Sequence, residues 1–196
     1  VVELQHYLRE PQEGQRVVAT PGAGTNVPIW ILGSSLFGAQ LAAMLGLPFA
    51  FASHFAPAAL DQAIAIYREK FEPSEQLSEP YITLGYNVCA AASDTEAAHL
   101  RTSSLQSFVN LRRGMPGKLP PPVAGYEEQL SATETAMVQE LSRCAAVGSP
   151  DSVKSQIDEF LNQTKADELI IVSSIFEHEA RLRSYEITAD ILGLTL

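Results

Sequence analysis

The chain has 196 residues, a formal net charge of −10, 46% hydrophobic residues and two cysteines. Its length suits one domain with a sizeable core, and its acidic balance argues against a nucleic-acid or anionic-membrane partner. Cys89 and Cys144 form no CxxC pattern, which argues against a disulfide framework or a zinc site; no apolar run reaches the roughly 18 residues of a membrane span and no signal-peptide pattern opens the chain, so a cytoplasmic protein is expected.

Apolar residues at positions 1, 4 and 8 predict a helix over Val1–Leu8. It has no N-cap before it and reads as the tail of a helix begun upstream in a longer chain. Residues 10–26 are punctuated by Pro11, Gly14, Pro21, Gly22 and Gly24 and read as a loop, with a short extended piece over 16–19. Gly22-Ala23-Gly24 precedes a strand instead of following one, so it is no dinucleotide fingerprint.

Val27–Leu32 is an almost unbroken apolar run and predicts a strand buried on both faces. It turns at Gly33-Ser34-Ser35 into a helix over Leu36–Leu45, closed by Gly46 as a C′ residue. Phe49–Ser53 predicts a second buried strand. Strand, turn, helix and strand make a βαβ unit and imply a parallel sheet. A helix follows over Ala58–Phe71, with Leu60, Ile64, Tyr67 and Phe71 on one face and Pro57 just ahead.

Tyr81–Ala91 predicts a third strand. Ser93 and Glu96 stand in capping-box register at the head of a helix running to about Arg113. Residues 114–124 hold Pro116, Gly117 and Pro120-Pro121-Pro122, which no regular element survives; together with a helix over Thr133–Cys144, residues 113–146 form an insertion or lid within a single domain spanning 1–196. Ser149 and Pro150 open another helix. Asp167–Val172 predicts a fourth buried strand, and Phe176–Leu192 the last helix.

Four strands, each followed by helix, bring Gly33-Ser34-Ser35, Ser53-His54 and Ser173-Ser174 to the carboxyl ends of the sheet, where βα folds bind ligands. At the first of these, glycine allows close backbone approach, two hydroxyls can donate, and the orphan N–H groups of a helix start favour an anion, a phosphate being the natural guest. The plainer alternative is that Ser34 or Ser35 merely caps the helix. His54 can donate or accept near neutral pH, or can be a loop histidine bonded to backbone. Arg112-Arg113 fits a helix C-terminus, where cations suit the dipole, and could also reach a phosphate or an acidic group. Cys89 reads as a small buried hydrophobe. His178 between Glu177 and Glu179 lacks metal-ligand spacing and reads as a solvated helix face, so no metal is expected. His6 and His99 read as surface residues.

In order along the chain, Pro28-Ile-Trp-Ile-Leu-Gly-Ser-Ser35, Gly46-Leu-Pro-Phe-Ala-Phe-Ala-Ser-His-Phe-Ala-Pro57, Leu111-Arg-Arg-Gly114, Leu119-Pro-Pro-Pro122, Val147-Gly-Ser-Pro150, Ala166-Asp-Glu-Leu169 and His178–Glu186 closely resemble the bacterial luciferase-like flavin monooxygenases. The resemblance covers nearly the whole chain. It implies a (β/α)8 TIM barrel, of which the four βα units here are strands 5–8, so the chain corresponds to the C-terminal half; a full barrel needs about 250 residues. It also implies reduced FMN supplied by a separate reductase, with a deazaflavin as the less favoured cofactor. It implies O2, a small organic substrate and a homo-oligomer. On this basis the turn at Gly33, Ser34 and Ser35 holds the flavin phosphate, and His54 is the catalytic candidate, facing substrate or oxygenated flavin. The other readings are a half-barrel that binds FMN or phosphate, or only assembles with a partner, without turnover, and an open flavodoxin-like sheet that binds FMN at the same turn.

Overall fold

In the computed structural model, which describes residues 1–194, short apolar runs pair as an all-parallel sheet of β1 (Ile31–Gly33), β2 (Phe49–Phe51), β3 (Ile82–Ala90), β4 (Ala145–Gly148) and β5 (Glu168–Val172). Ile31 pairs with Phe49 and Phe49 with Ile82, while Thr83 pairs with Glu168. β3 is the hub. In a parallel pair, alternate residues turn their N–H and C=O to one neighbour. The Tyr81 and Gly85 carbonyls accept from β2 and its exit, and the Asn87 and Ala91 N–H groups donate to the Cys144 and Gly148 carbonyls; the Ile82 carbonyl instead accepts from Asp167 beside β5. All four residues on the first side are odd-numbered. One edge of β3 therefore serves β2 low down and β4 higher up, and the other edge serves β5.

The helices are α1 (Val2–Leu8), α2 (Leu36–Met44), α3 (Leu60–Glu69), α4 (Asp94–Arg112), α5 (Ala132–Ser142), α6 (Pro150–Thr164) and α7 (His178–Ile191). The main core lies on one face of the sheet. Phe49, Phe51, Ile82, Leu84, Tyr86 and Val88 pack there with residues of α2, α3, α6 and α7. Tyr67 of α3 is fully buried; its hydroxyl donates to the Leu47 carbonyl at 2.9 Å and accepts from Tyr81 N–H at 3.1 Å. A smaller cluster of Leu105, Val109 and Val138 joins α4 to α5. Among the described residues, no helix is long and apolar enough to cross a membrane.

The other face of the sheet is bare at its margins. Leu32 is 73% exposed, Ile170 52% and Trp30 43%. The expectations of a first strand buried on both faces and of a buried last strand are thus corrected: helices cover one side of each only. The first strand is also shorter than Val27–Leu32, because residues 27–30 find no ladder partner. A fifth strand, β4, overlaps the end of the expected 113–146 insertion. Residues 16–19 form no strand, and residues 195 and 196 of the expected domain lie outside the described residues. The expected helices are all present. Gly46 follows α2 with φ +59°, and Ser93 Oγ accepts from Glu96 N–H, while the Glu96 carboxylate accepts from Ala92 N–H, one residue before the cap.

Candidate active site

Two neighbouring turns leave the carboxyl ends of β1 and β2, tied together by Ala52 N–H donating to the Gly33 carbonyl at 2.9 Å. At the first, the chain enters α2 through Gly33-Ser34-Ser35. A Cβ on Gly33 would meet Gly38 Cα at 3.5 Å, so strand and helix start lie close together. Ser35 holds the N-cap position in extended conformation, yet its side chain makes no capping bond. Both serines are exposed. The first-turn N–H groups of α2 thus lack side-chain acceptors, and an anion set there meets the positive end of the helix dipole.

At the second turn, Ser53 is buried and its Oγ donates to the Gly85 carbonyl at 2.6 Å. His54 N–H donates to the same carbonyl at 3.1 Å, and the His54 carbonyl accepts from Asn87 Nδ2 at 3.3 Å. The ring packs against Gly85 of β3, and only glycine tolerates this: a Cβ on Gly85 would stand 2.0 Å from His54 Nδ1. Nδ1 is buried without a hydrogen-bond partner. Burial pushes the imidazole below its ordinary pKa of 6.5, so the ring is neutral at pH 7.

His54 opens onto a cavity of about 370 Å3 between β3, α4, β4 and the segment after α4. Asn87, Arg101, Ser107 and Ser174 supply polar walls, and Leu105, Phe108, Leu111, Leu119 and Leu141 apolar ones. Pro116 and Gly117 also line it. Their segment is fastened by Gln106 Nε2 donating to the Pro121 carbonyl at 2.9 Å and by Val123 N–H donating to Thr102 Oγ1 at 2.8 Å.

His54 and Ser174, both expected at the ligand face, share this cavity; Gly33, Ser34 and Ser35 do not line it. Arg112 stacks over the Phe108 ring at 5.2 Å and Arg113 pairs with Glu134 at 2.7 Å, so both serve the helix end. Cys89 is buried, its thiol pushed up to about 12 by that burial. His178 Nδ1 lies 2.9 Å from Arg181 Nη2 on an exposed helix face. Sequence reasoning missed Gly85, Asn87 and Arg101. For Arg101 a signal existed: its neighbours at helical spacing, Ala97, Ala98, Ser104 and Leu105, are all uncharged.

A family model described as luciferase-like monooxygenase matches residues 4–168. An Escherichia coli (strain K12) protein named luciferase-like monooxygenase is 44% identical over 97% of this chain and 57% of its own length. The chain spans about half the length of the curated relatives it matches. The crystal structure of apo-MsnO8 superposes with a TM-score of 0.86 at 31% identity, covering 99% of this chain and 59% of that one. The oxygenating constituent of a 3,6-diketocamphane monooxygenase from Pseudomonas putida, solved in complex with FMN, shares the fold with a TM-score of 0.57 at 17% identity over 95% of this chain and 54% of that one.

Proposed function

We propose, for a chain that belongs to the luciferase-like monooxygenase family, FMN-dependent oxygenation of a small organic substrate by O2. In this reading the chain is the C-terminal half of a (β/α)8 barrel. The bare sheet face with Trp30, Leu32 and Ile170 is the barrel interior, and a separate reductase supplies the reduced flavin. The observation that carries the reading is the start of α2: a nine-residue helix at the carboxyl end of a parallel strand, with no side-chain cap and two exposed serines at its head.

The flavin, when bound, supplies the electrons for reaction with O2. The chain's own residues do the rest. Ser34 and Ser35 donate their hydroxyls to the phosphate, with first-turn N–H groups behind them. His54, neutral and packed against Gly85, offers one ring nitrogen as a donor or acceptor to a substrate in the cavity. The segment carrying Pro116, Gly117 and Leu119 shields that cavity from water.

The test is flavin titration by fluorescence quenching. Ser34→Ala/Ser35→Ala should weaken FMN binding by about 10- to 100-fold, from two lost hydrogen bonds to a charged acceptor, while riboflavin, which lacks the phosphate, binds as before. Equal FMN affinity in variant and parent would overturn the phosphate assignment. The bare sheet face favours a second reading, in which this half binds FMN but turns over substrate only with complementing strands. Formation of oxygenated organic product from reduced FMN and O2 by the chain alone separates the two.

A further inference from the structure

The cavity beside His54 holds a cation that the flavin reading leaves unused. Arg101 lines it, and its guanidinium donates to Ser142 Oγ. Among the described residues no carboxylate lies within 4.0 Å of it, although six other cation–carboxylate pairs stand within that distance elsewhere. Burial lowers its pKa, and Glu127 acts on it only through space. An unpaired, poorly solvated charge in a cavity is costly unless an anion joins it. His54 lines the cavity as well; its Nδ1, turned against Gly85, has no hydrogen-bond partner among the described residues. On the same helix and the segment after it, Leu105, Phe108, Leu111 and Leu119 add apolar wall, with Ser104 and Ser107 between them.

We propose that this cavity binds an organic monocarboxylate, its carboxylate on the Arg101 guanidinium and its apolar body against Phe108, Leu111 and Leu119. A guanidinium fork matches a carboxylate in two parallel hydrogen bonds. A single cation beside a neutral imidazole balances one negative charge, which favours a carboxylate over a phosphate dianion. A volume of about 370 Å3 is at the small end for ligand sites and suits a compact acid. Binding of the acid stands on the cavity alone; its role as the oxygenated substrate rests on the function proposed above.

The experiment is calorimetric titration of the flavin-free protein with hexanoate and with hexanamide, its uncharged counterpart. Hexanoate should bind at least 10-fold more tightly than hexanamide. Arg101→Met should weaken hexanoate by about 10- to 100-fold, as expected for a lost charge-assisted pair, and leave hexanamide unchanged. Equal affinity for the two ligands in the parent protein overturns the proposal, and so does hexanoate binding that survives Arg101→Met or is undetectable at millimolar ligand. The parent comparison decides even if the variant fails to fold. Hexanoate binding that persists in Ser34→Ala/Ser35→Ala separates this site from the flavin assignment.

Discussion

Gly85→Ala tests the packing of His54 most directly. The new Cβ would lie 2.0 Å from Nδ1 and 2.6 Å from Cε1, so the ring must retreat by about 1.5 Å to reach ordinary contact distance. The backbone cannot follow, because His54 N–H is held by the Gly85 carbonyl and the His54 carbonyl by Asn87. The ring therefore swings into the cavity at the cost of an off-rotamer side chain and lost contacts. Nδ1 has no hydrogen bond to lose, which keeps the total within the usual overpacking range of about 1–3 kcal/mol. For a chain of this length that lowers Tm by about 3–10 °C. The displaced ring regains water, so its pKa should rise toward 6.5. Thermal unfolding reads the first effect and NMR titration of the His54 ring the second. In His54→Ala the glycine has nothing to accommodate, so adding Gly85→Ala there should cost little, a coupling that a double-mutant cycle measures. An unchanged Tm together with an unchanged His54 titration would refute the argument.

The native His54 also gives stability a pH signature. Its folded pKa lies below the unfolded value, so the unfolded chain binds more protons in acid; the stability this histidine allows is complete above pH 6.5 and falls as pH drops below it. Chemical denaturation between pH 7.5 and 5.5 should show that slope, reduced in His54→Gln. Tyr67→Phe strips the Leu47 carbonyl and Tyr81 N–H of their shared partner and should cost about 1–3 kcal/mol by urea unfolding; a cost near zero would mean that water replaces the hydroxyl. Asp94 accepts from Ser149 N–H at 2.7 Å, and this bond lowers its pKa below the usual carboxylate value. Its contribution is present above the unfolded pKa of 3.8 and is lost as pH falls through the folded one, so Asp94→Asn should be less stable at pH 7, with the difference closing in acid.

The helices were legible because their signals are local. Ser93 with Glu96, Pro150 at the first position of α6, and Gly46 after α2 each act within one turn of chain. β4 was not legible: Ala145-Ala-Val-Gly148 is small, short and adjacent to a helix, and what makes it a strand is pairing with Asn87–Ala90 more than fifty residues earlier. Apolar runs at 27–32 and 167–172 correctly marked strands but misjudged burial, since a run states that a side chain can be buried, not what covers it. At the site, the turn at Gly33-Ser34-Ser35 was visible from strand–turn–helix order. Arg101 and Gly85 were hidden because their meaning is tertiary. Arg101 matters for the acid it lacks, and Gly85 for the ring laid across it.

The doubling of β3's edge has an evolutionary consequence. The chain leaves the sheet after Ala90 and returns at Ala145, which pairs with Asn87, so the excursion starts from and comes back to the same stretch of β3. The residues between, including those that wall the cavity from α4 through Leu141, form one excursion, held to the rest of the chain by Asp94 accepting from Ser149 N–H and by Arg143 pairing with Asp61. Its length and sequence can drift at small entropic cost, while β1, β2, β3 and β5 keep their register. If the cavity takes the substrate as proposed, exchanging about fifty residues would change what is accepted and leave the turn at Gly33-Ser34-Ser35 untouched.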